Sequence, residues 1–299
     1  MIRRLRSRLR SAAQNLAYLR AQFPPPLGTR PAVELAVCAI FKDEAPHLAE
    51  WVAFHQLVGV ERFYLYDNNS SDDWRAALAP ELEAGIAEVL PWPQTPGQMD
   101  AYADCLARHR IDTRWLAFID IDEFLFCPNG RALPAVLSKF RSAPGVAVCS
   151  RYFGFGGVEE PQPGLTIETY LMRAHDDFEP NTWVKSIVFP RMTERPAEIP
   201  HHFVYRHSRS AVGEDGLPAP HGDRRPPTAD LLRINHYYTR SRAEYDAKLG
   251  GWSGWGDRSG ARQLGDTRLP PDDMRDETIL RYAPFVRRAL SERPGTPRA

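Results

Sequence analysis

The chain has no excess charge of either sign. Its 38 lysines and arginines balance 38 aspartates and glutamates, so the total draws it neither to nucleic acid nor to an anionic surface. Cysteine is scarce, and Cys38, Cys105, Cys127 and Cys149 lie far apart without metal-binding or disulfide-framework spacing. Cys38, Cys105 and Cys149, in apolar surroundings, read as small buried thiols in a reducing compartment. No apolar run approaches the ~20 residues of a membrane-spanning helix, and the N-terminal stretch lacks the continuous apolar centre of a secretory signal. These absences predict a cytoplasmic chain. What is present, 43% hydrophobic and 25% charged residues over 299 positions, is an ordinary globular composition with room for one large domain or two small ones.

The first thirty residues stand apart. Arg3, Arg4, Arg6, Arg8, Arg10, Arg20 and Arg30 precede any acidic residue, with Leu5, Leu9, Ala12, Leu16 and Leu19 at helical spacing beside them. This is either a basic amphipathic helix for peripheral contact with a membrane or partner, at the inner membrane face, or a solvated helical extension. Phe23–Gly28, with three consecutive prolines, marks a linker.

From Val33 onward, strand and helix patterns alternate. Val33 to Phe41 is a near-continuous apolar run and reads as a buried strand. Asp43, Glu44 and Pro46 then suit a helix start, and Leu48, Trp51, Val52, His55 and Val58 recur at helical spacing up to Gly59. A strand over 62–66 ends in the turn-rich 67–73. A helix over 74–83, a strand over 86–90 and a helix over 98–109 follow. Four strand–helix alternations predict a largely parallel sheet with helices on both faces, in which ligands gather beyond the carboxyl ends of the strands. The second half is less regular. Strands are expected over 146–149, 183–189 and 231–238, a lid or disordered loop over 206–227, and an amphipathic helix over 277–290.

The fourth strand of the alternation leads into Asp120 and Asp122. On an extended backbone these two share a face, and two crowded carboxylates call for positive charge between them. Hard oxygen ligands suit Mg2+ or Mn2+. The plainer alternative is a pair of polar residues ending a strand. Asp43 and Glu44 after the first strand and Asp67 after the second fall at the same predicted edge, which favours a site.

Cys38–Glu44, Glu50–His55, Gly59–Glu61, Tyr64–Ser70 and Phe118–Phe124, followed by Val184–Val188, Asn235–Tyr237 and Ser241–Lys248, resemble the glycosyltransferase family 2-like and family 92 enzymes. The resemblance covers roughly residues 33–252. It implies an α/β architecture, the GT-A fold, with a Rossmann-like, mostly parallel central sheet flanked by helices and an irregular acceptor-side half. The divisions expected are a basic arm over 1–30, the transferase domain over 31–255 and a C-terminal helical extension over 256–299. Within the domain, 31–126 would form the nucleotide-binding half and 127–255 the acceptor half. The resemblance implies a nucleotide-sugar donor, leaning to a UDP-sugar, with a glycan or glycolipid acceptor and Mn2+ (or Mg2+). Asp43 or Glu44, with Asp67, would face the nucleoside. Asp120 and Asp122 would hold the metal, and His236 would complete its coordination.

A bound metal stabilises charge on a departing nucleoside diphosphate, and an inverting transfer wants a carboxylate base for the acceptor hydroxyl. Asp176, Asp177 and Glu179, in an irregular polar stretch, are the candidates for that base. Lys185, inside an apolar strand, must find a partner, either donor phosphate or a structural carboxylate. Trp252 and Trp255 are candidates to stack on a sugar. Two other readings stay open. The Asp120/Asp122 pair also resembles the nucleophile motif of haloacid dehalogenase-type phosphatases, with Asp120 attacking phosphorus beside Mg2+. A non-catalytic sugar- or nucleotide-binding module would keep the fold without the metal.

Overall fold

The computed structural model describes residues 31–250, 252–253, 256–257 and 269–294, with side chains to residue 248 and again from 269. The basic arm, Trp255 and the side chain of Trp252 lie outside the described residues. Strand β1 (Val33–Phe41) is followed by α1 (Ala45–Leu57), β2 (Arg62–Asp67), β3 (Ala87–Pro91), α2 (Gln98–Arg108), β4 (Thr113–Phe118) and β5 (Glu123–Phe126). The second half contributes β6 (Gly145–Tyr152), β7 (Val184–Val188), β8 (Arg233–His236) and α3 (Arg242–Gly250).

These eight strands, with the short pair Ala211–Val212 and Pro218–Ala219 at one edge, form one ten-stranded mixed sheet. Strands β3, β2, β1 and β4 are adjacent and parallel, as the alternation predicts. Strand β7 then pairs antiparallel with both β4 and β6. Beyond residue 149, β6 changes partner and runs parallel to β8, which is itself antiparallel to β5. The expected α/β class is what the chain adopts.

The unbroken apolar run of β1 has a simple cause. Leu35, Val37, Ala39 and Phe41 pack with Leu48, Trp51 and Val52 of α1, whereas Ala36, Cys38 and Ile40 pack with Ala101, Tyr102, Cys105 and Leu106 of α2. A strand covered on both faces has no polar side to display. All four cysteines are buried and free.

Several boundaries differ from expectation for local reasons. The helix over 74–83 is two short ones, Trp74–Ala77 and Ala79–Glu83, separated at Leu78 with φ −111° and ψ 8°. Pro80 lacks the N–H that a continuous helix would need there. The segment over 206–227 is not a plain loop, since Ala211–Val212 and Pro218–Ala219 extend the main sheet at its edge. The C-terminal helix begins as a 3-10 turn over Thr278–Tyr282 and becomes α-helical over Ala283–Ser291. Tyr282 packs edge-on to Phe54 of α1 with ring centroids 5.3 Å apart. Among the described residues, no helix is long and apolar enough to cross a membrane.

Helix α1 also holds β5 through two buried side chains. Trp51 Nε1 donates to the Glu123 carbonyl at 2.9 Å, and His55 Nε2 accepts from the Leu125 N–H at 3.1 Å. The other ring nitrogen of His55 lies 2.8 Å from the Trp51 carbonyl. A ring that accepts at Nε2 while fully buried must stay neutral, and burial lowers its pKa to about 3. Between that value and the ordinary 6.5, the unfolded chain binds a proton that the native chain does not. Native stability should therefore fall with falling pH across this window, by up to about 1.4 kcal/mol per pH unit from this residue. Urea unfolding from pH 7.5 to 4.5 should show that slope in the parent and a flatter one in His55→Gln. Identical slopes would remove His55 as the cause.

Candidate active site

Between β4 and β5 the chain reverses, with the Glu123 N–H donating to the Asp120 carbonyl at 3.1 Å. Asp120 and Asp122 therefore sit in a turn, not on the extended strand that would place them on one face. The reversal is imposed by pairing, because β5 must leave the parallel sheet to run beside β8. The two carboxylates have different partners, yet both line one cavity of about 1290 Å³ at the carboxyl ends of β1 and β4.

Asp120 faces Lys185. Its Oδ2 lies 2.6 Å from Lys185 Nζ, and its Oδ1 accepts from Gln98 Nε2 at 3.0 Å. Lys185 also lies 3.3 Å from Glu123 Oε2, which in turn accepts from the Asp120 N–H at 3.0 Å. Burial opposes the Lys185 charge, but the Asp120 and Glu123 carboxylates outweigh it and raise its pKa well above the ordinary lysine range. For Glu123, burial is the larger influence and pushes its pKa up against the pull of Lys185.

Asp122 faces the opposite way. Its Oδ2 is 2.5 Å from Lys248 Nζ. Its Oδ1 is buried without a hydrogen-bond partner and lies 3.4 Å from His236 Nε2. Burial would raise the Asp122 pKa, but Lys248 and His236 reverse this and hold it well below the ordinary value. The other His236 nitrogen, Nδ1, is 3.5 Å from Glu123 Oε1, and neither atom makes a hydrogen bond. His236 stands opposite Glu123 in the β5–β8 register, so backbone pairing brings the ring to the turn.

An imidazole between two carboxylates either carries a second proton or offers one lone pair to a cation. A carboxylate on the remaining nitrogen then fixes the tautomer. Asp122 Oδ1 and His236 Nε2 fit the latter as an open edge of two ligands, with Glu123 orienting the ring. Among the described residues, no group of three or more His, Cys, Asp or Glu is disposed as a complete metal cage. A metal here would need ligands from its substrate.

Asp43 and Glu44 line the same cavity. Asp43 Oδ1 accepts from Ser71 N–H at 2.6 Å, Ser71 Oγ at 3.0 Å and Asp72 N–H at 3.3 Å. Slight burial works against its charge, but these donors hold its pKa below the ordinary value. Glu44 Oε2 accepts from Arg240 Nη1 at 2.9 Å. Arg240 adopts φ 52°, an uncommon conformation for this residue type. Asp67 is buried, accepts from the Ser70 N–H at 2.9 Å and does not line the cavity.

Of the three acids considered as a base, Glu179 alone lines the cavity. Its Oε1 lies 2.8 Å from Arg225 Nη2. Asp176 pairs with Arg173 at 2.9 Å and Arg151 at 3.3 Å, and Asp177 is exposed away from the cavity. Gln98, Glu123, Arg240 and Lys248 were missed by sequence reasoning. Glu123 follows the aspartate pair directly, and Lys248 ends one of the resembling segments, but neither position signals its partner.

The site and sheet are thus those of an α/β protein with an acidic turn and a histidine at the carboxyl edge of a parallel sheet. Residues 33–164 match the family model Glycosyltransferase family 92. A glycosyltransferase family 92 protein of Ricinus communis is 32% identical over 216 residues, covering 68% of this chain and 35% of the relative. A family 92 protein of Arabidopsis thaliana is 30% identical over 190 residues, covering 57% and 31% respectively. Galactan beta-1,4-galactosyltransferase GALS1 of Arabidopsis thaliana is 31% identical over 107 residues, 32% of this chain and 21% of that protein. Among solved structures, S. aureus TarS 1–349 in complex with UDP overlays at a TM-score of 0.36 and 11% identity, covering 53% of this chain and 47% of TarS.

The chain resembles glycosyltransferase family 92, through the model match over residues 33–164 and through these relatives. It spans roughly a third of the length of the curated relatives it matches. The phosphatase reading of Asp120 finds no support among these matches.

The buried contact of Lys185 with Asp120 and Glu123 has a measurable consequence. Lys185→Met leaves Glu123 uncompensated and should cost about 3–5 kcal/mol in urea unfolding at pH 7. Glu123→Gln in that background should recover part of the loss. A single variant as stable as the parent would show that the contact does not hold the turn.

Proposed function

We propose that the chain is a metal-dependent glycosyltransferase that moves a sugar from a UDP-sugar to a glycan or glycolipid acceptor with inversion. The observation that carries this reading is the opposition of Asp122 Oδ1 and His236 Nε2, 3.4 Å apart with the oxygen unpartnered. It stands at the strand edge where α/β sheets bind ligands, within a chain that resembles family 92. Asp122 and His236 would hold Mn2+ or Mg2+, with Asp120 beside them. When bound, such a cation supplies charge stabilisation to the departing diphosphate.

The protein's own groups set the remaining conditions. Glu123 Oε1, 3.5 Å from His236 Nδ1, would orient the ring once Nε2 is given to a cation. Asp43 and Glu44, on the loop after β1, take the nucleoside end, and Asp67 supports the neighbouring turn through Ser70. Glu179, which lines the cavity where Asp176 and Asp177 do not, is our candidate to receive the acceptor proton. The basic arm over 1–30 is assigned peripheral membrane contact, which suits a glycolipid acceptor at the inner membrane face.

A panel of nucleotide-sugars with Mn2+, read by nucleotide release, tests the class. Asp122→Asn should lower kcat/KM by about a hundredfold or more, and Glu123→Gln by about ten- to a hundredfold. Glu179→Ala should lower kcat by about a hundredfold or more with donor binding intact. Full metal-dependent turnover by Asp122→Asn would refute the assignment.

A further inference from the structure

Lys248 reaches the acidic turn from α3, 126 residues away in sequence. Its ammonium lies 2.5 Å from Asp122 Oδ2 and 3.0 Å from the Tyr238 carbonyl, and it sits 4.4 Å over the Tyr238 ring. The two lysines at this turn differ in freedom. The Lys185 side chain is 5% exposed and is enclosed by Asp120 and Glu123, whereas the Lys248 side chain is 29% exposed. Lysine is a compact point charge on a flexible stem, able to change partners without moving the backbone.

A second cation comes from the same segment. Arg240 is paired through Nη1 with Glu44, and its Nε is buried without a hydrogen-bond partner. Residues 240–248 thus bring two cations to a cavity in which each rests on a carboxylate. Asp122 Oδ1 meanwhile has no hydrogen-bond partner and faces His236.

A buried carboxylate needs a counter-charge. An ammonium and a divalent cation on the same carboxylate would repel each other at close range. Binding of the cation therefore favours departure of Lys248, and the displaced ammonium then needs an anion within reach. A diphosphate joined to that cation is such an anion.

We propose that Lys248 is an exchangeable counter-ion. It neutralises Asp122 before the donor arrives and transfers to the donor diphosphate when a divalent cation takes that carboxylate. The proposal rests on reading the cavity as a nucleotide-sugar site. Exchange makes cation and nucleotide bind cooperatively, and by linkage each must strengthen the other equally.

Titration calorimetry with Mn2+ alone, with UDP alone and with UDP in saturating Mn2+ tests this without turnover. In Lys248→Met, Mn2+ alone should bind about tenfold more tightly or better, the scale of one close charge pair. UDP alone should bind as in the parent and UDP in the presence of Mn2+ about tenfold more weakly, so the coupling between the two ligands falls by about tenfold. Lys248→Arg should keep the parent pattern, and Lys42→Met, which removes a cavity charge lacking the Asp122 contact, should leave Mn2+ affinity near the parent value.

Unchanged or weaker Mn2+ binding by Lys248→Met would overturn the exchange, as would an equal gain in Lys42→Met. Loss of cooperative unfolding in Lys248→Met would show a structural ion pair and also overturn it. A parent chain that binds neither Mn2+ nor UDP would refute the nucleotide-sugar reading itself. Normal parent binding with an indifferent Lys248→Met refutes only the exchange.

Discussion

A lysine ammonium buried between two carboxylates is the constraint on which this architecture depends. Lys185 lies on an antiparallel strand of the second half, while Asp120 and Glu123 belong to the turn that ends the parallel half. Lys185 and Glu123 are buried, and burying either charge alone costs several kcal/mol, whereas Asp120 is partly open to the cavity. Glu123 also accepts from the Asp120 backbone N–H, closing the group on itself. Strand, turn and side chains are thereby tied into one electrostatic unit. The sheet on both sides is apolar, which strengthens that mutual dependence.

The remainder of the turn is held from two other directions. Trp51 and His55 of α1 engage the backbone of β5 from within the core. Strand β8 engages the other side of β5, and its register places His236 opposite Glu123. A side chain contributed by β8, more than a hundred positions after the turn, is thereby oriented by backbone hydrogen bonds. A sheet strand carries this histidine, while the outer wall takes Arg240 from the turn before α3 and Lys248 from α3 itself. That division suits a site whose fixed groups define geometry and whose looser cations respond to a ligand.

Charge in the cavity is arranged by pairing. Glu44 faces Arg240, Asp120 faces Lys185 and Asp122 faces Lys248. Glu244, near the same wall, is held at a pKa of about 2, because His47 and Ser241 donors and the Arg240 charge overcome the opposing effect of burial. Three of the buried atoms without a hydrogen-bond partner, Asp122 Oδ1, Glu123 Oε1 and His236 Nδ1, lie together at the turn, and Arg240 Nε is another at the same cavity. Polar atoms buried without partners are costly, and the three at this turn are the observation on which the proposed metal site rests.

The sequence by itself determined the alternating elements, the buried character of β1, the acidic edge and the family resemblance, because periodicity and motif spacing are local properties of the chain. Residues 33–41 were legible because burial on both faces leaves a run of apolar residues and nothing else. The division of the helix at Leu78 was less so, since Pro80 breaks one pattern while permitting a new helix start. Only the tertiary structure decided that Asp120 and Asp122 occupy a turn with different partners, that Glu123 is the third carboxylate, and that Asp176 serves arginines outside the cavity. It also decided which distant cations meet those acids. The physical reason is that charge pairing in a low-dielectric interior is set by distances between elements remote in sequence, and pattern along the chain does not encode those distances.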